Sequence, residues 1–132
     1  MTVNAATLLL LEQQAIELPS WAFGNSGTRF KVFGTPGTPR TPQEKIADAA
    51  QVNAFTALSP SVALHIPWDK VDDYTELGRF AEDHGVTLGT VNSNTFQDDA
   101  YKFGSLTHTD PTIRQKAIDH HLECIDIMDE TG

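Results

Sequence analysis

The sequence predicts an α/β chain whose parallel strands are joined by helical crossovers, and three observations lead there. Short apolar segments of strand length, of which Ser61 to Ile66 is the clearest, alternate with segments whose apolar residues recur at helical spacing. Helical segments open on cap signals, Thr41-Pro42-Gln43-Glu44 and Asp110-Pro111 among them. Two of the segments that follow strands are long and carry the turn-forming residues Gly, Pro, Ser and Asn.

Taken in order, Ala5 to Ile16 reads as a helix, with Leu8, Leu11 and Ala15 at helical spacing, and Glu17 to Phe23 as a short strand. A Gly- and Pro-rich loop fills residues 24–40. In the next helix Thr41 can cap the free backbone N–H groups while Glu44 reaches back to the cap, and Ser59-Pro60 stops the run. Ser61 to Ile66 is mostly apolar, as befits a strand buried on both faces. Asp72 or Asp73 caps a third helix bearing Leu77, Phe80 and Ala81, which Gly85 terminates in the left-handed conformation. Val86 to Val91 reads as a third strand, residues 92–109 as a second loop, and the last helix carries Ile113, Ala117, Cys124 and Met128 along one stripe.

Alternating helices and strands fit either an open doubly wound sheet or part of a (β/α)₈ barrel. The first strand-to-helix loop lacks the G-x-G-x-x-G of a dinucleotide site. A complete barrel needs about 250 residues, so the expected fold is an α/β chain of three βα units and a leading helix, the N-terminal part of a TIM barrel spanning residues 1–132 as one partial domain.

Composition narrows the function. A net charge of −9 disfavours nucleic acid and anionic membrane as partners, since both demand basic patches. No apolar run approaches the roughly 20 residues of a membrane span, and the single cysteine, Cys124, fits a reducing cytoplasm. In either architecture the working surface lies at the carboxyl ends of the strands. There the sequence places Trp21, then His65 with Trp68 and Asp69, then Asn92, Asn94 and Phe96. Aromatic rings beside polar groups suit a sugar, whose C–H faces stack while its hydroxyls take hydrogen bonds. His65 is the candidate acid–base group, and Asp69 either orients it or simply caps a helix or faces water. His120, His121 and Glu123 read as a solvated or packing cluster, because adjacent histidines leave a helix on different faces.

The segments PSWAFGNSGTRF, SVALHIPWDK, VNSNTF and YKFGSLTHTD, in this order and spacing, resemble the L-rhamnose isomerase family, in particular its bacterial enzymes of broad sugar specificity. The resemblance runs from Pro19 to about Glu123. It implies a xylose-isomerase-like barrel, usually a homotetramer, that interconverts L-rhamnose and L-rhamnulose with two divalent cations, commonly manganese. It assigns His65 to ring opening, Trp21, Trp68 and Phe96 to the aromatic wall, and Phe30 to a neighbouring subunit's site. The family's metal-binding Glu, Asp and His residues come from later strands, so no metal ligand is expected here and the chain is expected to be the N-terminal part of a longer enzyme. A ketose 3-epimerase of the same superfamily and a non-catalytic sugar-binding or assembly fragment are the competing readings.

Overall fold

The computed structural model describes residues 4–24 and 34–131. Its elements are α1 (Ala5–Glu12), β1 (Glu17–Pro19), α2 (Pro42–Thr56), β2 (Ser61–Ile66), α3 (Tyr74–Asp83), β3 (Thr87–Ser93) and α4 (Pro111–Thr131), with single 3₁₀ turns at Ser20–Ala22 and Asp99–Tyr101. The chain is therefore α/β. Its three strands lie parallel in the order β1-β2-β3, and each is followed by a helix further along the chain. No described helix is long and apolar enough to cross a membrane.

Cap chemistry sets most helix starts. Thr41 Oγ1 accepts from the Glu44 N–H at 3.2 Å, and Glu44 Oε2 accepts from the Thr41 N–H at 3.1 Å. That carboxylate also accepts from the Arg40 N–H, and the two backbone bonds, Arg40's first, hold the Glu44 carboxyl below its ordinary pKa. Asp73 is the cap of α3, accepting from the Glu76 N–H at 2.8 Å, and Gly85 takes the positive φ of 79° that ends the segment. At the entry to α4, Asp110 Oδ1 accepts from the Thr112 N–H at 2.8 Å.

The structure differs from the sequence reading at four places, three of them element bounds. α1 stops at Glu12 rather than Ile16, because the Ile16 N–H is bonded to the Leu58 carbonyl (2.8 Å) on the way into the sheet. None of the residues of α1 is buried. β1 pairs with β2 only as far as Pro19↔Ala63; the chain then turns, and the Phe23 N–H closes onto the Ser20 carbonyl, so the strand does not reach Phe23. β3 runs from Thr87 to Ser93 and so extends two residues past Val91. On α4, Ile127 joins Ala117 and Cys124 in the core, whereas Met128 is exposed: from Cys124, three residues on continues the inward face better than four.

The core gathers around β2. Val62, Leu64 and Ile66 meet Ile46 and Ala49 of α2, Leu77 and Ala81 of α3, Val91 of β3, and Cys124 and Ile127 of α4. Five of the six residues of β2 are buried, as expected of a central parallel strand.

The β2–β3 ladder carries an irregularity that shifts what lies beside the candidate site. Val62 is opposite Leu88, but Leu64 is opposite Val91, so β3 spends one extra residue between them. The Thr90 N–H at this bulge is taken by Glu17 Oε1, which reaches across from β1 to 2.9 Å. Gly89 leaves the space: a Cβ there would stand 1.7 Å from that oxygen. Beyond the bulge, Asn92 lies opposite His65.

Candidate active site

The carboxyl ends of the three strands converge on His65. Residues of the loops after them bring Trp21 to a centroid distance of 5.0 Å, Trp68 to 4.4 Å and Phe96 to 6.2 Å from its ring. Trp68 meets the imidazole edge-on, at an interplanar angle of 88°. His65 is 8% exposed and Phe96 63% exposed, so Phe96 forms the solvent side of the cluster. Neither His65 Nδ1 nor Nε2 has a hydrogen-bond partner among the described residues. A buried polar atom without a partner is rare and costly. Burial lowers the His65 pKa; Asp69 opposes that shift, while Lys45 and His120 reinforce it. Burial thus disfavours the charged form of the ring.

Asp69 occupies a different place from the one the sequence suggested. It is fully buried, yet it makes no hydrogen bond to the imidazole. Its Oδ2 accepts from the His65 backbone N–H at 2.7 Å and from the Ser20 hydroxyl, and its Oδ1 accepts from the Lys45 ammonium at 2.6 Å. A carboxylate four residues after the histidine can reach that backbone N–H because the chain turns back at once, the Asp69 N–H closing onto the His65 carbonyl at 2.9 Å. Asp69 thus ties the 3₁₀ turn after β1, the end of β2 and the first turn of α2 to one point beneath the rings.

The third wall rests on α4. His120 Nε2 accepts from the Asn94 N–H at 3.0 Å while its Nδ1 faces Glu123 Oε2 at 3.1 Å. His121 Nδ1 donates to the Ala117 carbonyl at 2.7 Å, leaving Nε2 facing the Ser93 hydroxyl at 3.3 Å. Glu123 is also bonded to Lys70, and these two partners, Lys70 first, keep its pKa low. Both histidines therefore support the loop after β3. Asn92 donates to the Leu64 carbonyl at 3.3 Å, and Asn94 accepts from the Gln97 N–H in a turn.

The structure thus brings together His65, Trp21, Trp68 and Phe96, and sets Asp69 below them. Phe30 lies outside the described residues. Lys45 and Ser20 were not singled out by sequence reasoning; the only available signal was a lysine in the first turn of a helix, where basic residues oppose the helix dipole. A cavity of about 390 Å³ opens between α3 and α4, lined by Lys70, Tyr74, Leu122 and Glu123. Its lysine is already paired with Glu123 and it lacks a ring cluster, so the His65 site is the better chemical candidate. Among the described residues, no three His, Cys, Asp or Glu side chains are grouped to hold a metal ion. The manganese of the resembling family does not fit these residues, and the chemistry below is confined to the chain's own side chains.

No family model matches the chain. Over 122 residues it is 45% identical to a protein of Rhizobium meliloti (strain 1021) named as a probable sugar isomerase, with 89% of this chain and 28% of that protein covered. Over 127 residues it is 44% identical to another so named, from Mesorhizobium japonicum, with 92% of this chain and 29% of that protein covered. The chain is similar over nearly all its length to proteins named as probable sugar isomerases, and it spans less than a third of theirs.

Proposed function

We propose that the chain forms the first three βα units of a (β/α)₈ barrel whose full protein is an aldose–ketose isomerase, acting on L-rhamnose and L-rhamnulose with broad sugar specificity. The observation that carries this reading is His65: buried, walled by Trp21, Trp68 and Phe96, and with both ring nitrogens unpartnered among the described residues. A neutral imidazole can take the proton of the anomeric hydroxyl and return one to the ring oxygen as the C1–O5 bond breaks. The ring opens and the histidine ends as it began. The aromatic rings supply apolar faces for the sugar's C–H surface and exclude water. Similarity to probable sugar isomerases supports the isomerase part; the choice of rhamnose, the use of manganese and a homotetramer rest on the motif resemblance alone, and a cytoplasmic location on the single cysteine. Any metal ligands would come from outside the described residues.

The test is His65→Gln in the full protein, assayed for ketose formation from cyclic L-rhamnose. Loss of a general acid–base group lowers the rate by on the order of 10²–10⁴-fold, with the fold retained. Unchanged kcat/KM overturns the assignment of His65. A wild-type protein with no turnover of any aldose overturns the isomerase reading itself.

A further inference from the structure

Beneath the ring cluster lies a charge pair that the ring-opening chemistry does not use. Lys45 is 3% exposed and Asp69 fully buried, 2.6 Å apart. A buried ion pair seldom adds stability over an apolar pair of the same shape, because desolvation offsets the attraction. The pair has one feature an apolar pair would lack: it places two opposed charges beside a titratable ring. Asp69 also fixes the His65 backbone through its N–H, so the carboxylate cannot be dispensed with without leaving that donor and the Ser20 hydroxyl unmatched.

Resting on the reading of His65 as the acid–base group, we propose that Lys45 is a positioning residue for His65, acting through Asp69. Asp69 anchors the end of β2 to the turn after β1, and an uncompensated carboxylate there would draw a proton onto the imidazole. The ammonium of Lys45, bonded to Oδ1 of that carboxylate, offsets that field. The charged groups facing His65 among the described residues are Asp69 from the loop after β2, Lys45 from α2 and His120 from α4. Asp69 favours the protonated ring; Lys45 and His120 disfavour it, in line with burial. Of the positive groups in this set, Lys45 is the one bonded to Asp69.

The proposal makes opposed predictions for the two partners. In the full protein, exchange of the imidazole C2 proton for deuterium, followed by mass spectrometry of the peptide bearing His65, reads the titration midpoint of that ring alone. Lys45→Gln removes the charge while keeping a donor for Asp69, and its midpoint moves up from wild type. Lys45→Met is a second neutral variant, and whichever of the two folds decides this arm. Asp69→Asn moves the midpoint down, and Lys45→Arg, which keeps the charge, stays with wild type. The acid limb of kcat/KM follows the same order. Midpoints that do not move in the neutral Lys45 variants, or that move downward, overturn the proposal. Because exchange reports the ring and not turnover, a protein with the expected shifts but no isomerase activity loses the function reading and keeps the role of Lys45.

Discussion

Lys45→Met, measured for stability, tests the burial of the charge pair directly. Met fills nearly the space of the lysine's aliphatic stem, so a cavity contributes little. The loss is the ammonium opposite Asp69, a carboxylate with no exposed surface. Breaking a buried pair by removing one partner costs about 3–5 kcal/mol. Asp69 keeps its bonds from the His65 N–H and the Ser20 hydroxyl, which places the expected loss near the lower end, about 3 kcal/mol. That is a large part of a typical stability of about 5–15 kcal/mol. The urea midpoint of the full protein falls accordingly. Lys116→Met is the internal comparison. Its partner is Asp98, and the two side chains are 51% and 45% exposed, so water already screens them. That variant is expected to unfold close to wild type. Equal losses in the two variants would refute the argument, since the only difference it invokes is burial.

Three more outcomes follow from other parts of the chain. Because burial lowers the His65 pKa, the unfolded chain binds a proton there before the folded one does; stability is full above about pH 6.5 and falls as pH drops through the folded pKa. Thermal midpoints recorded against pH decline less steeply on the acid side in His65→Gln, and parallel curves would show that His65 is not the group responsible. Phe30→Ala in the full protein is expected to lower kcat/KM without altering the fold, and unchanged kinetics would remove Phe30 from the site. The 132-residue chain made alone is expected to self-associate and to show neither isomerase turnover nor tight manganese binding. Among the described residues β3 has a partner on one side only, and Ile118, Leu122 and Ile125 of α4 are exposed; a monodisperse, active monomer in solution would contradict it.

What the sequence made legible was local. The capping box at Thr41 and the apolar run of β2 are each written in a few adjacent residues, and both appear at the expected positions. The ring cluster was legible as well, because three aromatic residues follow strands, one histidine lies near the end of one, and parallel strands bring such positions together. The partners of Asp69 were not legible, because Ser20 and Lys45 come from elements 49 and 24 residues away and nothing local marks them. A lysine in a helix usually faces water, and only the packing of α2 against the turn after β1 turns this one inward. His120 and His121 show the same limit. Leaving α4 at different angles, they still reach neighbouring residues, because Ser93 and Asn94 pass across the helix at the end of β3.

The bulge in β3 has a consequence for how this sequence can vary over time. The carboxylate of Glu17 and any side chain at position 89 compete for one space, though the two positions are far apart in the chain and on different strands. Neither can drift alone: an alanine at 89 expels the carboxylate from the Thr90 N–H, and a shorter residue at 17 leaves that N–H to solvent. Substitutions at the two positions should therefore be inherited as a pair. The pair also guards a neighbour it never touches. If the bulge flattened with every residue of β3 kept, Val91 in place of Asn92 would stand opposite His65, and a hydrocarbon would replace an amide beside the imidazole.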